Sequence, residues 1–507
     1  MWLKANAVGI FNEPGCAKNR AKSEKERKQG CARQASPGAV AGGCAFDGAR
    51  IALQPVVDVA HLVHGPIACE GNSWDNRHAA TSGPTLYRTA FTTDINELDV
   101  IYGGEGRLFR SLREILSKYD PPAVFVYQTC VTALIGDDID AVCKHASEKF
   151  GKPIIPVNSP GFAGSKNFGN KLAGEAILDY VIGTREPAYT TSFDINLIGE
   201  YNLSGELWQI KPLFDALGIR IVCCISGDGR YKEIASAHRA KINMVVCSKS
   251  MINVATKMQQ SYGIPYFEGS FYGIGDMSNT LRQTARMLVQ QGAPDDLLVR
   301  TERLVNAEEA RAWARIAPYR KRLQGRRVLL ITGGVKSWSV VAALQEAGLE
   351  IVGTSVKKST DGDKERIREI LGDDTRMVDN LTAREIYNLL RDAKADIMLS
   401  GGRSQFVALK ARMPWLDVNQ ERHHPYAGYE GMVELVHEID RSIHNPVWQQ
   451  VRIPASWDNE GGGARERIVS LSGHAKRVLP GADVRDDQVH VSAGVLSCNG
   501  ERTSWRK

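Results

Sequence analysis

Short apolar runs alternate with longer stretches of mixed polarity along most of the chain. Ala123–Tyr127 (AVFVY) predicts a buried strand, followed by a helix over Asp137–Phe150 and a strand over Pro153–Val157. A second series opens at Ile195 with INLIGEYN. It continues through a helix near Leu207–Leu217, the strand IRIVCCIS, a helix, the strand INMVVC and another helix. A third series opens at Arg327 with VLLIT, a helix from Val335, EIVGTSV, a helix from Asp363, and ADIMLS. Strands that lack polar alternation are covered on both faces, as in parallel sheets joined by helices. The repetition predicts an α/β chain of three doubly wound parallel-sheet (Rossmann-like) domains.

Boundaries follow from where the pattern changes. A basic N-terminal arm occupies 1–35, where Lys18, Arg20, Lys22, Lys25, Arg27, Lys28 and Arg33 outnumber Glu24 and Glu26. The first α/β domain spans 36–190 and the second 191–300. A charged bridging helix over Thr301–Gln324 leads into the third domain, so that 301–455 forms one block. After that, Gly461–Gly463 and many polar residues mark 456–507 as an irregular extension.

Length and composition fit this division. At 507 residues the chain is too long for one core. Its 43% hydrophobic and 24% charged residues are ordinary for a globular protein, and the net charge of +6 is small. The basic arm comes with no helix-turn-helix, zinc-finger or aromatic RNA-binding pattern, so no nucleic-acid partner is expected. No signal peptide and no apolar run of about 20 residues is present. A cytoplasmic protein without membrane contact is the expectation. Its ten cysteines are then buried thiols or metal ligands rather than disulfides.

Doubly wound sheets bind ligands at the carboxyl ends of strands, and three of those cysteines stand out, Cys130 and Cys69 because they follow strand-like runs. Cys130 closes AVFVYQTC, Cys69 lies in HLVHGPIACEGN, and Cys44 lies in AVAGGCAFDGA between residues small enough for close approach. All three read as loop residues. No C-x-x-C pair is present, which argues against a zinc ribbon or a thioredoxin-type motif. Cysteines far apart in sequence can still share an iron–sulfur cluster, and three candidates for four ligand positions suggest a fourth from a partner chain. Spacing alone leaves ordinary buried thiols as the simpler reading. Cys247 ends INMVVC, also at a strand's carboxyl end. Cys223 and Cys224 point to opposite faces of one strand and, with Cys143 on a helix, read as core.

VLLITGGVKSWS is a strand, a glycine turn and a helix start. Gly333, Gly334 and Lys336 there could hold an anion, although the P-loop spacing is missing. LSGGRSQF repeats the arrangement and is followed by WLDVNQER, which carries Asn419.

Together PGAVAGGCAFDGARIAL, HLVHGPIACEGNSWDNR, TTDINELDVIYGG, VYQTCVTALIGDDIDAVC, TGGVKSWS and LDVNQER resemble the nitrogenase-component family, over about Cys31 to Val451. Within it they are most similar to the alpha-like scaffold branch that matures the iron–molybdenum cofactor. The resemblance implies three α/β domains. It implies that Cys44, Cys69 and Cys130 bind a 4Fe–4S cluster shared with a NifN-like beta subunit in an α2β2 heterotetramer. It places Cys247 as the anchor of a transient cofactor precursor, with Arg77, Lys336, Gly333 and Gly334 around it. Further implied partners are the nitrogenase iron protein, a NifB-type precursor donor and apo-nitrogenase, with molybdenum and homocitrate entering during maturation.

Two departures separate scaffold from enzyme. Catalytic nitrogenase holds the molybdenum end of its cofactor through a histidine, and the matching position here is Asn419. The family's catalytic subunit places a second histidine near the reactive face, where this chain has GFAGSKNFGNK and offers Asn170. Losing a histidine removes a metal ligand and suits a site whose product leaves. The competing expectations are a catalytic nitrogenase alpha subunit, a protochlorophyllide reductase-type subunit, and a metal-free small-ligand binding protein.

Overall fold

The computed structural model describes residues 43–74, 79–246, 248–331, 337–356, 359–378, 381–419 and 422–453. Among the described residues thirteen strands form three sheets, and every strand pair in them is parallel.

The first sheet holds β1 (Ala60–His64), β2 (Phe91–Thr92), β3 (Val124–Gln128) and β4 (Ile154–Val157), in the order β2-β1-β3-β4. The second holds β5 (Asp194–Glu200), β6 (Arg220–Ser226), β7 (Ile242–Val245) and β8 (Tyr266–Glu268), in the order β6-β5-β7-β8. The third holds β9 (Arg327–Ile331), β10 (Glu350–Ser355), β11 (Met377–Val378), β12 (Ile397–Ser400) and β13 (Trp415–Asp417), in the order β11-β10-β9-β12-β13. In each sheet the chain first winds to one side of its opening strand and then crosses to the other. That reversal opens a crevice at the carboxyl ends of β1 and β3, of β5 and β7, and of β9 and β12.

β1 and β3 are buried along their whole length, His61, His64 and Gln128 included. The apolar cores do not stop at sheet boundaries. One cluster joins Val63, Phe125 and Tyr127 of the first sheet to Ile198, Ile225 and Val245 of the second. Another joins Leu197 and Met244 of the second to Leu330, Ile351 and Leu399 of the third. Cys223 and Cys224 show the geometry: neighbours in β6, they enter different clusters on opposite faces. Cys143 is core as well.

The bridging helix begins earlier than its charge pattern predicts, at Asp296, and runs to Leu323. Leu297, Thr301, Val305, Ala312 and Ile316 are its buried stripe. Among the described residues no helix is long and apolar enough to cross a membrane.

Candidate functional site

Cys44, Cys69 and Cys130 come together at the crevice beyond β1 and β3. They are not loop residues. Cys44 is the N-cap of the helix Ala45–Leu53, Cys69 lies within the helix Ile67–Trp74, and Cys130 is the first residue of the helix Cys130–Leu134. Gly65, Pro66 and Gly71 make the Cys69 stretch look like a turn, but the helix starts directly after Pro66.

Gly161 measures how close the sulfurs are. A Cβ at this position would lie 2.9 Å from Cys130 Sγ and 3.1 Å from Cys44 Sγ. The two sulfurs are therefore no more than about 6 Å apart, the sum of those distances. Cys69 shares the field: burial pushes its thiol above the usual range, and the Cys130 and Cys44 sulfurs push it further. Three soft donors gathered at one place, two of them raising the proton affinity of Cys69, suit a cationic metal centre. The bare backbone of Gly161 keeps the space beside the sulfurs open. Donor chemistry and cradle both fit an iron–sulfur cluster.

Each thiol is held from below. Cys44 is seated by two helices in backbone contact. A Cβ on Gly48 would fall 1.9 Å from the Lys166 carbonyl oxygen, and one on Gly169 would fall 1.8 Å from that of Ala45. The helices Ala45–Leu53 and Lys166–Tyr180 thus touch through glycine, and Cys44 bridges to Ser165 at their shared start. As the N-cap, Cys44 sits at the partial positive end of the first helix, which would favour an anionic ligand there.

Cys69 is followed by Glu70, whose carboxylate accepts from Arg50 Nη2 at 2.9 Å. Both side chains are sealed from water, at 0% and 2% exposure. The Arg50 guanidinium lies 5.4 Å from the centre of the Tyr127 ring. Tyr127 in turn meets His61 Nδ1 at 2.8 Å, while His61 Nε2 meets the Val56 carbonyl at 3.0 Å. A carbonyl only accepts, so Nε2 carries the proton and the Tyr127 hydroxyl donates to Nδ1. Burial and the Arg50 charge both hold His61 neutral.

Cys130 hangs on the end of β1. The hydroxyls of Thr129 and Thr132 donate to the His64 carbonyl at 2.9 and 3.0 Å. The His64 ring meets Asp137 Oδ2 at 2.9 Å and the Thr93 hydroxyl at 3.1 Å, and Gly104 N–H donates to Asp137 Oδ1 at 2.9 Å. Burial lowers the His64 pKa against the pull of Asp137. Arg50, Glu70, His64, Asp137 and Gly161 carry no spacing signal, because their partners lie far off in sequence.

Of the other predicted site residues, Asn419 is described. Its N–H donates to Asp417 Oδ1 at 2.6 Å, and its carboxamide packs on Gly401 at the end of β12, where a Cβ would lie 2.9 Å from Asn419 Nδ2. It therefore borders the third sheet's crevice. Asn170 is buried in the helix Lys166–Tyr180, with no hydrogen-bond partner at Oδ1 among the described residues. Cys247, Arg77, Gly333, Gly334 and Lys336 lie outside the described residues, as do Cys16, Cys31 and Cys498.

The model of the family "Nitrogenase component 1 type Oxidoreductase" matches residues 44–444, from the first of the three thiols to the end of the third sheet's helical cover. The chain belongs to the nitrogenase component 1 family. Among its curated relatives is the nitrogenase iron-molybdenum cofactor biosynthesis protein NifE of Bradyrhizobium diazoefficiens, 68% identical over 98% of this chain and 90% of that protein. The protein of the same name from Klebsiella pneumoniae is 50% identical over 90% of this chain and all of its own length. The solved structure "Nitrogenase Cp1 at pH 6.5" superposes with a TM-score of 0.77 at 25% identity, over 83% of this chain and 92% of that one. The three-sheet α/β architecture is thus the nitrogenase-component fold.

Proposed function

We propose that this chain is the alpha-like subunit of a scaffold on which the nitrogenase iron–molybdenum cofactor is matured. The carrying observation is the convergence of Cys44 and Cys130 on Gly161, with Cys69 in the same field. The names of the relatives supply the pathway.

In this reading Cys44, Cys69 and Cys130 hold a resident 4Fe–4S cluster, and a NifN-like beta subunit provides the fourth ligand in an α2β2 assembly. The rim of the site supports the partner. Ile67, Leu134 and Phe162 stand beside the thiols and are 61%, 75% and 61% exposed. Ile101 and Tyr102 extend the apolar surface on the next helix. Large apolar groups around a polar centre are what a subunit interface covers. When bound, the cluster supplies one-electron transfer. The chain's own part is to fix three sulfurs through a close helix contact, a buried ion pair and hydroxyl–carbonyl bonds, and to leave a face open to the partner.

The maturing cofactor is cargo. In this reading Cys247 anchors the iron–sulfur precursor, the positive charges of Arg77 and Lys336 suit its negative charge, and Gly333 and Gly334 belong to the same set. Molybdenum and homocitrate enter there with the nitrogenase iron protein, after delivery from a NifB-type donor and before transfer to apo-nitrogenase. Asn419 in place of a histidine leaves that end of the cargo with a weak neutral donor, which favours release.

Asn419→His tests the reading. Slower transfer of cofactor to apo-nitrogenase, with unchanged loading, supports it. Transfer at the rate of a neutral surface variant refutes it. Acetylene reduction by the purified complex at nitrogenase-like rates would favour the catalytic alpha subunit instead, and pigment binding would favour the protochlorophyllide reductase type.

A further inference from the structure

Arg422 ties three distant segments together at the junction of the second and third sheets. Its Nε and Nη2 lie 2.7 and 2.6 Å from Glu206 Oε1, in the first turn of the helix Glu206–Ala216. Its Nη1 donates to the Asn419 carbonyl at 2.5 Å. Nη2 also lies 3.4 Å from the Tyr272 hydroxyl. The Ser204 hydroxyl donates to the Arg422 carbonyl at 2.6 Å, and Ser204 N–H donates to Glu206 Oε2 at 2.9 Å. The ion pair is closed to water, with side-chain exposures of 2% and 0%.

A buried ion pair adds little net stability over an apolar pair of the same size. What the planar guanidinium provides is direction: one fork can hold a carboxylate and a carbonyl at fixed angles at once. Asn419 is gripped on both sides, its N–H by Asp417 and its carbonyl by Arg422. Asp417 belongs to the third sheet, but Glu206 follows β5 of the second, the sheet whose β7 leads into Cys247.

We infer that Arg422 is the positioning residue for Asn419, fixing this wall of the third sheet's crevice in the frame of the second sheet. The inference rests on the reading that Asn419 borders the cargo seat.

Hydrogen–deuterium exchange on the heterotetramer purified without oxygen tests this. Arg422→Gln is expected to speed exchange over 417–424 by at least about tenfold, since loss of the charge-assisted bond to the Asn419 carbonyl alone is worth that much. Ser204→Ala, the gentler change, should give a smaller rise in the same segment. Arg422→Lys should fall between them, because an ammonium keeps the charge without the fork. The helix Ile139–Phe150 should exchange as in the wild type in all three. Unchanged exchange over 417–424 in the folded Arg422→Gln complex overturns the inference. Should that variant fail to fold, unchanged exchange in both Ser204→Ala and Arg422→Lys overturns it equally. Iron retained beyond that of the three-cysteine site, after gel filtration of protein matured in cells, separates the two readings. Faster exchange with lower retention supports both. Faster exchange with full retention leaves Arg422 as the positioning residue and removes Asn419 from the cargo seat.

Discussion

Arg50 and Glu70, the residue that follows Cys69, meet at 2.9 Å, with neither side chain open to water. The pair joins the helix that starts at Cys44 to the helix that contains Cys69. Removing one partner strands the other charge. Glu70→Ala should therefore cost about 3–5 kcal/mol in denaturant unfolding. The double variant Arg50→Met, Glu70→Ala should recover much of that, since apolar replacement of both charges is nearly neutral. A double variant no more stable than Glu70→Ala would show that the pair is not the link.

Gly161 and Gly48 are both tight, for different reasons. The three atoms nearest a Cβ at 161 are the two sulfurs and the Cβ of Cys44, whereas those nearest a Cβ at 48 are the backbone of the neighbouring helix. Gly161→Ala should lower bound iron while far-UV circular dichroism and the unfolding midpoint stay close to wild type. Gly48→Ala should lower iron and stability together, by about 1–3 kcal/mol for overpacking. Equal iron in Gly161→Ala and wild type would remove Gly161 from the cradle.

Glu200 ends β5 in a fully buried place. Burial first, and the nearby Glu206 carboxylate second, raise its pKa to about 7. The unfolded chain releases this proton near about 4.3. Between the two values the folded state keeps a proton that the unfolded state has lost. The contribution to stability is therefore complete below about 4.3 and disappears as pH rises through about 7. Unfolding midpoints measured from about pH 5 to about pH 7.5 should fall more steeply for wild type than for Glu200→Gln. Parallel slopes would contradict the assignment.

Much of this architecture is legible in the sequence. Buried parallel strands are continuous apolar runs, so β3, β5, β9 and β12 stand out within a residue or two of their ends. The edge strands β2 and β11 do not, because two residues make no pattern. The helix Lys166–Tyr180 is hidden by Gly169 and Gly174, which exist to let neighbouring groups approach its backbone. The three cysteines are visible as candidates, and the surrounding motifs single them out. Their helical setting is not, since Gly65 and Pro66 resemble a turn. The supports are the least legible part. Arg50 with Glu70, His64 with Asp137 and Arg422 with Glu206 are pairs that only the folded chain assembles.

The central claim is that Cys44, Cys69 and Cys130 share one iron–sulfur cluster at a subunit boundary. Iron counting with electron paramagnetic resonance, on the complex purified without oxygen, tests it most directly. Wild type should carry cluster iron and a paramagnetic signal on reduction. Cys44→Ala, Cys69→Ala and Cys130→Ala should each lose that signal and its iron while the cargo-handling half of the chain stays folded. A full iron complement with an unchanged signal in all three variants would contradict the claim.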